Sequence, residues 1–515
     1  IQVPVYPTIS PVNFEAIIND ADPAMFIIES VAIMKRFSDV LLEKEKTYSL
    51  QAIEGINHYH DLLHSGKIHQ TTIDYRAVKE QIDEHETATI IYTSGTTNTP
   101  KGVMLSHKNI ISNMLAIAPI SGFSHRKRAL SILPLCHVYE RTLNYMYQYL
   151  GLSIYYCHEI NKAGEIIKEV KPHVFCAVPR ILEKSYYSIL LYGYQLKGVK
   201  RWLYKNALQT GKKYELSGRN NVWYAIKLGF FRLLVFRKIK KFFGGKLRIV
   251  VSGSASLSPL FARTFWAMGI NVLEGYGLTE TAPVIAVNRK ERKHHRIGTV
   301  GPLLDDIEVK INDDGEILCK GPNVMAGYWR NEALTKTVID DEGFFHTGDI
   351  GSWVAGKFLQ ITDRKKELFK TSGGKYIAPQ PIENLFTESP FFDHVMILGE
   401  NRHFPAAIIS LEVDYLKSWC RNRHIPFTTM QNTLIDERVI LKLYQETEKY
   451  NKLLGKTEMV KRFLFVTEPW NVESGELSPT LKMRRRVILE KYHSAIASLY
   501  SDEGEVKPAP SRYRK

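Results

Sequence analysis

Between two apolar runs, Thr89-Ile90-Ile91 and Val103-Met104-Leu105, lie eleven residues, 92–102, that read Tyr-Thr-Ser-Gly-Thr-Thr-Asn-Thr-Pro-Lys-Gly. Glycine lets a backbone turn its N–H groups toward a ligand, hydroxyls add short donors, and Lys101 supplies a point charge. Such a strand–loop–strand segment is equipped to cradle a polyphosphate. The spaced Walker pattern is a different device and occurs nowhere in the chain. A solvated Ser/Thr/Gly turn between hairpin strands would share the composition. The fixed order, closing on Pro-Lys-Gly before a strand, favours the cradle.

A chain of 515 residues exceeds what one core can organise, so several domains are expected. With 44% apolar and 24% charged residues it reads as a globular protein. The five cysteines, at 136, 157, 176, 319 and 420, form no CxxC pair, which suits a reducing cytosol. No HExxH or similar spacing suggests a zinc site, and the pairs His58/His60 and His294/His295 read as surface histidines. A formal charge of +15 points to anionic partners: nucleic acid, membrane or small polyanions. No nucleic-acid-reading motif accompanies it, so no nucleic-acid partner is expected. The most apolar stretch, 222–236, is interrupted by Lys227 and Arg232 and does not span a bilayer. The chain opens at Ile1 within what reads as a strand, 1–6, so a preceding segment is expected.

Up to about residue 360, β-type runs alternate with helical stretches. Examples begin at Ala129, Val174 and Leu247. The alternation predicts an α/β fold with large helix-covered sheets. Residues 180–243 read as a helical insertion, and 300–362 as a small β subdomain with Asp-rich turns. A charged run, 363–367, marks a boundary. The expected architecture is a mixed α+β chain: a large multi-sheet domain over 1–365, a small mobile α/β domain over 366–500, and a disordered tail over 501–515.

Four further clusters carry chemistry. Glu274-Gly275-Tyr276-Gly277-Leu278-Thr279-Glu280-Thr281 joins close backbone approach, a flat ring, a phosphate donor and a hard oxygen ligand suited to Mg²⁺. Phe345-His346-Thr347-Gly348-Asp349 sets an acid where ribose hydroxyls could be gripped. The remaining two are 362–366 and 477–486. Each of the last three could also be a solvated charged loop.

In this order and spacing the five segments resemble the adenylate-forming superfamily of acyl-CoA synthetases, luciferases and adenylation domains. Leu133-Pro134-Leu135-Cys136-His137-Val138-Tyr139-Glu140-Arg141, Val178-Pro179-Arg180-Ile181-Leu182-Glu183-Lys184 and Phe243-Gly244-Gly245-Lys246 resemble its long-chain fatty acyl-CoA synthetases. The resemblance implies an acid–thiol ligase acting on fatty acid, ATP and CoA, with Mg²⁺, through acyl-AMP. It assigns Thr93, Ser94, Gly95, Thr96, Thr97 and Lys101 to the β/γ-phosphates, Thr279 to the α-phosphate and Glu280 to the metal. Gly253, Ser254 and Ala255 with Glu274, Gly275, Tyr276 and Gly277 would hold adenine, and Asp349 and Arg364 ribose. Lys482 would be the adenylating lysine and Lys366 the hinge. Ser372, Gly373 and Gly374 would line the pantetheine path. His137 and aromatics of 185–231 are candidates for an acyl tunnel, most of those aromatics reading as plain core. The resemblance also implies a first N-terminal segment ahead of Ile1.

Other readings are a fatty acyl-AMP ligase serving a carrier protein, and a non-catalytic acyl- or nucleotide-binding protein. A cytoplasmic enzyme is expected from the cysteines; its basic surface reads either as a solvated face of a core-packed helix or as a peripheral contact with the inner membrane surface. Helical projection of 200–213 groups Arg201, Lys205 and Lys212 opposite Leu203, Tyr204 and Ala207, and 237–241 adds a basic run whose attraction is electrostatic.

Overall fold

In the computed structural model, the described residues are 1–41, 44–68, 74–94, 100–216, 220–478 and 481–501, without the side chains of residues 44, 94 and 161. Of the tail reading over 501–515, residues 502–515 lie outside this set.

The centre of the large domain is a six-stranded sheet. Its strands Ser153–Tyr156, Arg128–Ser131, Val174–Ala177, Ile249–Ser252 and Asn271–Gly277 run parallel, and Val284–Val287 closes one edge antiparallel. Val174 to Ala177 are all buried, the unbroken apolar pattern of a strand covered on both faces. Helices His107–Ser121, Val138–Tyr149 and Pro259–Ala267 supply part of the cover, contributing Met114, Leu143 and Phe265 to the same core. The first of these is started by Ser106, whose hydroxyl accepts from Asn109 N–H while the Asn109 side chain accepts from Ser106 N–H.

Two antiparallel sheets flank the centre. One joins Thr87–Ser94, Pro100–Ser106 and Gly327–Tyr328. The other runs through Glu308–Ile311, Glu316–Lys320, Phe345–Val354 and Phe358–Arg364. Beyond residue 366, Phe392–Leu398 pairs antiparallel with Ala406–Leu411, which pairs parallel with Arg462–Val466. Helices Pro379–Phe386 and Glu437–Asn451 pack Phe386 and Leu443 into a separate core there.

Three expectations need correction. Within 1–6, a single bridge, Gln2 to Thr89, replaces the expected strand; the prolines at 4 and 7 remove ladder donors. His295 is buried, not superficial: its ring meets Trp266 edge-on at 4.8 Å, and burial presses its pKa down to about 4. The segment 345–349 is no solvated loop but the start of a strand in which Thr347 and Asp349 are buried.

Candidate active site

The phosphate-cradle strands are cross-strand neighbours, with Thr93 opposite Lys101. The connecting residues 95–99, including Gly95, Thr96 and Thr97, lie outside the described residues, as does the Ser94 side chain. Lys101 Nζ stands 5.6 Å from the Tyr328 ring centroid. The Tyr328 hydroxyl donates to Glu280 Oε1 at 3.0 Å. Lys101, Tyr328 and Glu280 therefore form one corner. Thr279 and Glu280 lie on the tight turn that follows Asn271–Gly277. That turn needs Gly277, because a Cβ there would stand 1.6 Å from the Pro283 carbonyl oxygen.

Burial pushes the Glu280 carboxyl above its usual range, and the Arg364 charge opposes that shift. Among the described residues no cluster of three or more His, Cys, Asp or Glu could hold a metal alone. A single carboxylate with one oxygen committed to Tyr328 suits Mg²⁺, which takes its other ligands from phosphate oxygens and water.

Asp349 and Arg364 face each other across neighbouring strands. Arg364 Nε lies 3.2 Å from Asp349 Oδ1, and the Tyr276 hydroxyl donates to Asp349 Oδ2 at 2.9 Å. Tyr276, Asp349 and Arg364 are thus held as a unit. Gly253, Ser254 and Ala255 follow the Ile249–Ser252 strand, and a Cβ on Gly253 would press the Tyr139 ring at 3.1 Å. Glu274 turns inward: burial raises its carboxyl to about 8, against hydrogen bonds from Gly298 and Leu257 backbone N–H groups.

These segments also wall a partly open, largely apolar cavity. Gly253, Ser254, Gly275, Tyr276 and Gly277 line it together with Ile117, Phe123, Leu143, Met146 and Val251. His137 stands outside this wall. The aromatics of 185–231 do not line it either: Tyr186 and Tyr187 pack edge-on against Phe261 in the core, and Trp202, Trp223 and Phe230 are exposed.

Lys482 comes from the small domain, its N–H donating to Ser478 Oγ at 3.0 Å. Withdrawal from water lowers its pKa to about 8; the Arg364 charge adds to this, while Asp349 and Glu367 oppose it. His137 is pressed to about 4 by burial and then by the Lys482 charge, and its ring meets Tyr6 at 5.4 Å. Lys482, Arg364, Asp349 and His137 therefore share one electrostatic neighbourhood. Residues 479–480 of that loop lie outside the described set.

Sequence reasoning missed what holds the two domains together. Arg180, at the start of helix Pro179–Gln195, is 6% exposed. Its guanidinium pairs with Asp393, reaches Glu412 at 3.6 Å in the small domain, and meets Glu183 at 2.9 Å on its own helix. Ser258 donates to Glu388 at 2.5 Å, Asn384 to Ser256 at 2.6 Å, and the hydroxyls of Tyr194 and Tyr415 meet at 2.7 Å. The Val-Pro-Arg sequence marked the helix start; no local signal pointed to Asp393.

Around Lys366 the attachments change sides. Lys365 is tied to Asp314 and Glu316 of the large domain at 2.6 and 2.8 Å, whereas Glu367 is tied to Arg485 of the small domain at 3.1 Å. Ser372, Gly373 and Gly374 form an exposed turn closing the hairpin of Phe369–Lys370 and Tyr376–Ile377, where Ser372 Oγ contacts His403 Nδ1 at 3.0 Å.

Comparison with known proteins fits this layout. The AMP-binding enzyme pattern matches residues 1–329, and the AMP-binding enzyme C-terminal domain pattern matches 367–504. Long chain acyl-CoA synthetase 7, peroxisomal, of Arabidopsis thaliana is 31% identical over 99% of this chain and 76% of its own length. A long-chain-fatty-acid–CoA ligase of Mycobacterium tuberculosis is 31% identical over 81% of this chain and 70% of its own. Among solved structures, the adenylation domain of a carboxylate reductase from Mycobacterium chelonae superposes with a TM-score of 0.70 at 20% identity, covering 97% of this chain and 76% of that one. An anthranilate CoA ligase in complex with anthranoyl-AMP gives 0.69 at 17%, over 96% and 83%. At those identities the structures speak for the fold alone. The sequence matches settle the family: the chain belongs to the AMP-binding enzymes, in their long-chain acyl-CoA synthetase branch.

Proposed function

We propose that the chain is an ATP-dependent long-chain fatty acid–CoA ligase. A fatty carboxylate oxygen attacks the α-phosphorus of ATP, the bond to the β-phosphate oxygen breaks, and pyrophosphate leaves. The CoA sulfur then attacks the acyl carbonyl carbon, and AMP leaves with the C–O bond pair, giving the thioester. The observation that carries this reading is an apolar cavity lined in part by Gly253, Ser254, Gly275, Tyr276 and Gly277, the segments assigned to the nucleotide.

Both steps build negative charge, so fixed positive groups and positioning supply most of the acceleration. Lys482 stabilises the charge shared by carboxylate and α-phosphate, and Lys101 with Thr93 holds the β/γ-phosphates. Thr279 donates to the α-phosphate. Asp349, held by Tyr276 and Arg364, accepts from ribose hydroxyls. Glu280 supplies the anionic ligand for Mg²⁺, whose charge neutralises the polyphosphate. Lys366 is the hinge on which the small domain turns between the two steps, and the Ser372-Gly373-Gly374 turn leaves room for pantetheine.

Among the described residues no helix is long and apolar enough to cross a membrane. Part of the enzyme rests on an anionic membrane, and a cytoplasmic setting at its inner surface suits five cysteines present as thiols. The basic surface differs from its projection: Lys212 lies near Glu388, Glu446 and Lys449 of the small domain, and Lys240 donates to the Gly269 carbonyl at 2.8 Å. Arg201, Lys205, Arg237, Lys238 and Lys241 are exposed.

Pyrophosphate release across a panel of fatty acids of increasing length, with and without CoA, tests the proposal. A long-chain ligase turns over continuously only with CoA. Unchanged turnover without a thiol, or none with any fatty acid, would replace it.

A further inference from the structure

Residues 222–242 form a nearly continuous helix, Val222–Phe231, Arg232–Phe236 and Arg237–Phe242. One face is core: Leu228, Phe231, Val235, Phe236 and Ile239 are buried. Arg232 Nε donates to the Ala267 carbonyl at 2.8 Å, and the Tyr224 hydroxyl to the Thr210 carbonyl at 2.9 Å, which fixes the helix rotation. The opposite face is apolar too. Trp223 is 78% exposed, Ile226 60% and Leu233 65%, with Val222 and Phe230 also exposed. The spacing 223, 226, 230, 233 follows one line along a helix.

Isolated exposed apolar residues need no explanation, but a continuous row is a docking surface. Charge identifies its partner. Lys227, Arg237, Lys238 and Lys241 stand exposed along the same helix. Glu215 is the sole acidic residue in sequence between Glu183 and Glu274, and it is tied to Arg263 at 2.7 Å. A second copy of this chain would set like charges against each other. An anionic bilayer would receive both the apolar row and the cations, with the indole suited to the headgroup boundary.

We propose that the exposed face of 222–242 inserts its apolar row shallowly into the boundary of an anionic lipid bilayer. This deepens the membrane part of the function proposed above, yet stands apart from the ligase chemistry, because binding needs neither ATP nor turnover. It also changes the expected physics. A purely basic surface releases vesicles as salt rises, whereas an inserted row persists once the charge is screened.

The test uses the whole protein and vesicles of phosphatidylcholine with phosphatidylglycerol, at low and high salt. The parent should lose part of its binding at high salt and retain a measurable remainder. Trp223→Ser with Ile226→Ser, Phe230→Ser and Leu233→Ser should remove that remainder, lowering partition by about 10²-fold, while turnover of a water-soluble shorter fatty acid stays unchanged. Lys227→Gln with Arg237→Gln, Lys238→Gln and Lys241→Gln should weaken low-salt binding and spare the salt-resistant part. Equal vesicle binding by the serine variant overturns the proposal. So does a parent that dimerises through this face, shown by sedimentation, while its vesicle binding vanishes at high salt.

Discussion

Arg180→Ala should separate the two half-reactions. In the observed arrangement the Arg180 charge is shared by Asp393, Glu412 and Glu183, whose side chains are also largely withdrawn from water. Removing one member of such a buried set costs about 3–5 kcal/mol, mainly because the abandoned charges stay buried. Here there is an escape. If the small domain swings away, Asp393 and Glu412 regain water, so the penalty weighs on the arrangement with Lys482 in the site and is relieved in the other. His394 offers a second escape. Its Nδ1 lies 2.8 Å from Asp393 Oδ2, and burial followed by the Arg180 charge holds its pKa well below the usual range.

Without Arg180 the His394 imidazole can take up a proton and offset part of the loss. The lower end of the range is therefore expected, about 3 kcal/mol, which at 1.36 kcal/mol per factor of ten is about 10²-fold in adenylation. The assay measures pyrophosphate release in single turnover, beside thioester formation from supplied acyl-AMP. Adenylation should fall about 10²-fold as an upper bound. Thioester formation should change little. A variant combining Arg180→Met with Asp393→Asn and Glu412→Gln should recover part of the loss, because no buried charge is left unpaired. Equal loss in both half-reactions, or no recovery in the triple variant, would refute the reasoning.

Lys482→Ala should lower adenylation by about 10²–10³-fold and leave thioester formation from acyl-AMP far less affected; equal losses would remove Lys482 from its role. With its pKa lowered to about 8 by burial, the Lys482 ammonium is lost as pH rises through that value in the free enzyme, so kcat/KM for adenylation should fall above about 8. Bound triphosphate favours the charged form and should move the limb of kcat upward, and Lys482→Arg should carry the limb out of range. Glu280→Gln keeps shape but loses the anionic ligand, so the Mg²⁺ concentration for half-maximal rate should rise; an unchanged titration would place the metal elsewhere.

How much of this could be read from the chain follows from the range of each interaction. The strands on either side of 95–99 and the turn after Gly277 depend on neighbours in sequence, and local chemistry announces them. The central strands at 128–131, 174–177 and 249–252 were legible for the same reason, as apolar runs of strand length between helical stretches. Asp349 and Arg364 came through the resemblance alone, since each cluster could by itself be a solvated loop. Arg180 was visible as a charge after a proline, but Asp393 lies in a separately packed domain, and no periodicity links them. His295 shows the same limit: a histidine in a charged stretch reads as surface until a distant tryptophan covers it. The segment 222–236 exposes a subtler gap. Periodicity detects a helix by contrast between its faces, and here both faces are apolar, so the pattern reads as something buried all round. Only the docked helix shows that Leu228, Phe231 and Val235 are spent on the core while Trp223, Ile226 and Leu233 face outward. An apolar surplus beyond what the core consumes, set among basic residues, is the sequence signal that a second apolar phase is being met.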